Sequence, residues 1–190
     1  MKFMGIDSAA LSGWAFEDAT NPTSERSWLF GTVRADSAQK YDVLALAKEH
    51  GVTHAIIEKP RPFLANGGKG QTTMATFGSM CESYGRWVEA CDRMGIEVVP
   101  CFVASWQAAM LVINGKKIQQ KQAGDDKAGS KLVAAYHGAK GCNGDEADAV
   151  CLCLYGPAAR TRKEIEEQAK REARAMQQKV YRERRKAVKA

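Results

Sequence analysis

The short run Ala55-Ile56-Ile57 constrains this chain more than any other feature. It is apolar at successive positions and stops at Glu58, followed by Pro60 and Pro62, neither of which can donate to a sheet ladder. That is the pattern of a buried strand, which needs a sheet with helices on both faces. The surrounding segments supply one. Lys2 to Asp7 is a short apolar run ending in an acid; Gly13 to Phe16 follows the small-residue turn Ser8 to Ser12; Ser27 to Val33 follows a polar loop. The three read as an antiparallel meander. Asp36 or Ser37 then caps a helix to His50, with Val43, Leu44 and Ala47 on its buried side and Gly51 just beyond its end. After the strand Thr53 to Glu58, the pattern predicts a long helix from Gln71 to Arg93, with Ala75, Gly78, Ser79 and Gly85 as a small-residue face. A fifth strand, Ile96 to Val99, precedes helices at Ala104 to Ile113, at Lys127 to His137 behind Asp125 or Asp126, and at Asp145 to Tyr155. The expected fold class is α/β: a five-stranded mixed sheet, a three-strand meander plus parallel strands, flanked by helices. The first and fourth strands are parallel neighbours.

Charge is placed unevenly along this framework. The net charge is +6, yet from Arg160 onward there are 12 Lys and Arg against 5 Asp and Glu, so the rest is close to neutral. That extension is helix-forming sequence with a thin apolar stripe, Ile165, Ala169, Ala173, Met176 and Val180. Such a seam suits either a partner helix, with basic flanks toward phosphates, or a solvated tail. The expected division is a domain at 1–157, closed by Pro157, and a basic helical extension at 158–190. No run approaches the roughly 18 uninterrupted apolar residues of a membrane span. The chain begins directly with a strand-like segment instead of a signal peptide, so a cytoplasmic location is expected. Cys81, Cys91, Cys101, Cys142, Cys151 and Cys153 lie mostly in apolar runs and read as reduced core residues. His50, His54 and His137 are scattered and read as structural.

An acid at the end of an apolar strand has an ordinary reading beside the chemical one. Asp7 can simply cap a loop, and Glu58 can pair at the surface with Lys59 or Arg61. Gly144-Asp145-Glu146-Ala147-Asp148-Ala149 adds two acids three apart, which share a face of an otherwise apolar helix. Taken alone, Asp145 reads as an N-cap and Asp148 as a first-turn acid. Asp148, however, runs at once into the buried side, where a charge is expensive unless something positive meets it. Four carboxylates converging on one end of a sheet repel one another, and hard divalent cations relieve that repulsion. Mg²⁺ is expected, with Mn²⁺ as a substitute. Two such ions about 3.5 to 4 Å apart cleave phosphodiesters by activating water and stabilising the leaving oxygen.

Together, Gly5-Ile6-Asp7 with Gly13-Trp14-Ala15, Ile56-Ile57-Glu58, and Asp145-Glu146-Ala147-Asp148-Ala149 resemble the motifs of the RuvC-like Holliday junction resolvases, particularly phage-encoded members. The resemblance spans about residues 2–156, with the motifs in the family's order. It implies an RNase H-like fold, a homodimer, and Mg²⁺-dependent nicking of opposed strands in a four-way DNA junction, in the cytoplasm of a bacterial or phage-infected cell. The first-strand Asp is then Asp7, the fourth-strand Glu is Glu58, and the final-helix pair is Asp145 and Asp148, the all-carboxylate version of that pair. Two departures stand out. The family's Pro-Gly after the first Asp is Ser8-Ala9 here, which removes no ligand. The aromatic that relatives use to pry apart junction bases is matched only by Phe63, slightly later, after Pro60-Arg61-Pro62.

Lys116, Lys117, Lys121, Lys127 and Lys131 cluster between the fifth strand and the acidic helix, beside Trp106 and Gln107. Lysines beside a carboxylate site hold phosphates that the acids would repel, so these five are expected DNA contacts, the last two foremost, against a solvated lysine-rich loop. Arg61, Phe63 and Lys69 are further candidates. The loop Asn66 to Thr72 lacks the Gly-Lys-Ser/Thr ending of a nucleotide-binding loop, so no nucleotide cofactor is expected; it is a DNA-touching flap or a plain connector. Competing functions are a ribonuclease H on RNA–DNA hybrids, a broader debranching nuclease on flaps and Y-forks, and a catalytically silent junction-binding protein. An Asp-x-Glu exonuclease motif is absent, since Ser8-Ala9 follows Asp7.

Overall fold

β4 (His54–Glu58) lies inside the sheet with β1 on one side and β5 on the other, as its apolar run demands. Ala55 and Ile57 enter one core and Ile56 another, and all three are fully buried. The fold is that of a computed structural model that describes residues 1–18, 20, 26–60 and 74–163. The sheet order is β3-β2-β1-β4-β5, with β1 at Phe3–Asp7, β2 at Leu11–Glu17, β3 at Trp28–Arg34 and β5 at Glu97–Cys101. The β1–β2 and β2–β3 pairs are antiparallel, while β1–β4 and β4–β5 are parallel. This is the mixed five-stranded sheet expected from the sequence. α1 (Gln39–Glu49) and α2 (Met74–Arg93) pack on one face with Met4, Ile6, Phe16 and Ile57. The other face carries α3 (Val103–Met110), α4 (Ala128–Tyr136) and a final helix, α5, over residues 144–163.

Several elements differ from their sequence-based prediction. The small residues Ala75, Gly78, Ser79 and Gly85 of α2 are exposed, and the helix instead buries Ser83, Trp87, Ala90 and Cys91. Trp87 removes far more apolar surface from water than a row of small side chains, so it sets the buried face. α3 ends at Met110, and the expected last turn is a two-stranded ribbon, β6 (Val112–Ile113) against β7 (Lys116–Lys117). Asn114 and Gly115 form its tip with φ of 51° and 76°. Two successive left-handed residues make the hairpin turn for which Asn-Gly is the strongest short signal, one that outweighs a weak helical period here. β5 runs on through Pro100, which an edge strand tolerates because one of its sides has no ladder. α5 continues across Pro157 to residue 163. Tyr155 and Ala159, one turn apart, are both buried in the core, and that burial offsets the cost of proline in the helix. The basic stripe from Ile165 to Val180 lies outside the described residues. No helix of the described residues is long and apolar enough to cross a membrane.

Candidate active site

The period of two along a strand decides where the first two acids point. Met4 and Ile6 of β1 face α1 and α2, so Gly5 and Asp7 face α5; by the same count Ile56 and Glu58 of β4 face α3 and α5. Parallel pairing with Ile6 opposite Ile57 brings the ends of the two strands side by side. Ser8 Oγ joins them by donating to the Glu58 carbonyl at 2.6 Å.

Two glycines bring α5 down onto these strand ends. A Cβ at Gly5 would sit 1.9 Å from the Ala149 carbonyl oxygen, and one at Gly13 would sit 2.1 Å from that of Asp145. Only hydrogen fits at either place, so the Gly5-Ile6-Asp7 and Gly13-Trp14-Ala15 motifs are packing requirements of the helix that carries Asp145 and Asp148. The start of α5 corrects one expectation. Asn143 is the N-cap: its Oδ1 accepts the Asp145 and Glu146 N–H groups at 2.9 and 3.0 Å, while Glu146 Oε2 accepts the Asn143 N–H at 2.8 Å. This reciprocal capping box leaves the Asp145 carboxylate free of any capping duty.

The Asp145 carboxylate is instead spent on Lys127. The Lys127 ammonium lies 2.8 Å from Asp7 Oδ2, 2.6 Å from Asp145 Oδ1 and 2.8 Å from Asp148 Oδ2. The positive partner that Asp148 requires is therefore this lysine. Asp148 and Asp7 are only 4% and 7% exposed, so these two are withdrawn from water, whereas the side chains of Lys127 and Asp145 are 31% and 34% exposed. Gln120 Nε2 donates to the other Asp148 oxygen at 3.2 Å, while its Oε1 accepts from the Ser130 N–H and hydroxyl at 3.0 and 2.9 Å. Glu58 has a different partner, the indole of Trp106, which donates to Oε2 at 3.0 Å. Lys59, expected as a surface partner for Glu58, lies over the Phe102 ring instead, 5.7 Å from its centre.

Electrostatics set these groups apart from ordinary acids. Burial, reinforced by the neighbouring Asp7, pushes the Glu58 carboxyl up to about 8 despite the Trp106 hydrogen bond. Burial also pushes Asp7 up to about 6, against the opposing pull of Lys127 and with further help from Asp148. For Lys127, burial pulls downward, but Asp7 and Asp148 outweigh it and hold the ammonium above the usual lysine value. The site thus holds more negative charge than one lysine neutralises. Among the described residues no three of His, Cys, Asp and Glu are drawn together as a ready metal site, and the three aspartates surround the ammonium. Their donor chemistry nonetheless fits a hard divalent cation: all are carboxylate oxygens, and they already surround a positive charge.

Of the five clustered lysines, Lys127 is the one in contact with the carboxylates. Lys131 pairs with Asp125 at 2.7 Å and Lys121 with Asp126 at 3.0 Å, while Lys116 and Lys117 are exposed on β7. Arg61, Phe63 and Lys69 lie outside the described residues. Trp106 and Gln120 are the site residues that sequence reasoning missed; Trp106 sat beside the lysine cluster with no assigned partner, and nothing local marks Gln120. The cysteine reading holds for Cys91, Cys101, Cys151 and Cys153, which are buried free thiols, whereas Cys81 is exposed on α2.

No family model and no curated protein matches the sequence. Solved structures match the fold. RuvC of Thermus thermophilus in complex with a Holliday junction substrate aligns at a TM-score of 0.53 and 13% identity, over 85% of this chain and 94% of that one. A second Thermus thermophilus RuvC structure aligns at 0.54 and 16%, over 86% and 97%. The chain has the RuvC fold. In this RuvC-like, RNase H-like architecture the four acids stand at the carboxyl ends of two central parallel strands and at the amino end of the helix packed across them. The agreement covers nearly the whole of each RuvC chain.

Proposed function

We propose that this RuvC-like chain is a metal-dependent DNA endonuclease that resolves four-way junctions. The observation that carries the reading is the convergence of Asp7, Glu58, Asp145 and Asp148 on one end of the sheet, with three of them surrounding a single cation. Among the solved structures of this fold, one is a RuvC complexed with a Holliday junction substrate, which supports branched DNA as the substrate class. Asp7, Glu58, Asp145 and Asp148 would hold Mg²⁺, or Mn²⁺ in its place. The ions would lower the pKa of an attacking water and stabilise the leaving oxygen of the phosphodiester. The chain's own part is positional. Trp106 fixes one Glu58 oxygen, Gln120 fixes one Asp148 oxygen, and the glycine-packed α5 holds Asp145 and Asp148 against the ends of β1 and β4. Lys116, Lys117, Lys121, Lys127 and Lys131 would supply positive charge for the DNA backbone, with Arg61, Phe63 and Lys69 as further contacts. Symmetric incision of two opposed strands requires two such sites, so the working form is a homodimer.

The test is cleavage of a four-way junction, a flap, a linear duplex and an RNA–DNA hybrid, each with Mg²⁺ or EDTA. The wild-type chain nicks the junction only with Mg²⁺, and Asp7→Asn and Asp148→Asn bind it without nicking. Cleavage confined to the hybrid would replace this reading with a ribonuclease H. Equal cutting of flaps would replace it with a debranching nuclease, and binding without cutting by the wild type would leave only a junction-binding protein.

A further inference from the structure

The Lys127 ammonium has three N–H donors, and three aspartate oxygens, one each from Asp7, Asp145 and Asp148, lie within 2.8 Å of it. These are oxygens a divalent ion would need, and a second positive charge cannot share them at contact distance without strong repulsion. The two kinds of partner also differ in mobility. Asp7 ends a strand and Asp148 stands on α5, both nearly buried, whereas Lys127 carries its charge on a flexible four-carbon stem from the residue just ahead of α4, with its side chain 31% exposed. The inward pose of that stem depends on one neighbour. A Cβ on Gly144 would lie 2.8 Å from Lys127 Cδ and 3.2 Å from its Cβ, so the hydrogen at residue 144 makes room for the stem.

We infer that Lys127 is an exchangeable internal cation: its ammonium holds the three aspartates together in the metal-free protein and is displaced when a divalent ion binds. The inference rests on the metal-dependent reading above and adds how that site is kept before loading. Metal and lysine then compete for the same oxygens, and the freed ammonium becomes available to a phosphate. The acids thus have a counter-charge throughout, which fits their burial.

The experiment uses the full chain and Mn²⁺ alone, following free Mn²⁺ by electron paramagnetic resonance. Lys127→Met is expected to bind Mn²⁺ at least about tenfold more tightly than wild type, the order of effect for loss of one close competing charge. Gly144→Ala keeps the charge but crowds the stem, so it shifts affinity in the same direction by less. It also keeps the inference testable if Lys127→Met folds poorly. In wild type, acylation of the Lys127 amine, read by mass spectrometry against exposed Lys116, accelerates when Mn²⁺ is saturating. If Asp148→Asn abolishes Mn²⁺ binding while Lys127→Met and Gly144→Ala bind as wild type does and Lys127 acylation ignores Mn²⁺, exchange is wrong and the metal reading stands. If no form binds Mn²⁺, the metal reading falls and exchange falls with it.

Discussion

Trp106 donates its indole N–H to Glu58 Oε2 at 3.0 Å from a side chain that is 0% exposed. The donor is paired with a carboxyl whose ionisation burial already disfavours. Trp106→Phe keeps most of the apolar volume and removes the hydrogen bond. Stability is expected to fall by about 1–3 kcal/mol, the cost of a buried polar group losing its partner. Metal affinity is expected to drop roughly ten- to a hundredfold, as for other residues that orient ligands. Thermal melts and Mn²⁺ titration check the two effects separately; unchanged metal affinity would mean that Trp106 only packs.

Gly5→Ala and Gly13→Ala drive a methyl group into backbone carbonyls of α5, where no side chain can swing away. Each is expected to cost about 3 kcal/mol or more, at or beyond the upper end of overpacking penalties. Each also lifts Asp145 and Asp148 from the ends of the strands. Gly78→Ala, where a Cβ meets nothing within 4 Å, is the control and should stabilise α2 slightly. Urea unfolding midpoints for the three variants give the comparison.

Asn143→Ala removes the acceptor for two N–H groups at the start of α5 and should cost about 1 kcal/mol. Asp145→Asn leaves that cap in place, so its effect is expected chiefly on metal binding. If Asp145→Asn unfolds the protein as readily as Asn143→Ala and binds Mn²⁺ like wild type, Asp145 is a structural acid.

Glu58 and Asp7 ionise near 8 and 6 in the folded protein, above the 4.5 and 3.8 of free groups. Between those values the folded state holds protons that the unfolded state has lost. The metal-free protein is therefore most favoured by these groups below about pH 4 and loses that stability as pH rises through about 8. Glu58→Gln should flatten this decline, and Mn²⁺ binding near neutral pH should release protons. Melts in EDTA from pH 4 to 9, with and without the substitution, decide the first point. Identical slopes for wild type and variant would contradict it.

The architecture and most of the acids were legible because their signals are local. Ala55-Ile56-Ile57 is apolar at every position, the acids close apolar runs, and strand parity sends Asp7 and Glu58 to one face. The Asn-Gly hairpin was equally local but was read through as helix, and Asn143 and Glu146 make a capping box whose first residue is easily lost beside the acids that follow. Other relationships had no local signal. Trp106 reaches Glu58 across 48 residues of sequence, Gln120 reaches Asp148 across 28, and Lys127 reaches Asp7 across 120. The sequence alone determined an α/β sheet with acids at one end, because hydrophobic period and chain order are one-dimensional properties. Only the tertiary structure decided that one lysine of five sits among three aspartates, and that two glycines bring α5 close enough for this to happen. Those outcomes depend on how closely elements distant in sequence pack, which no local pattern records.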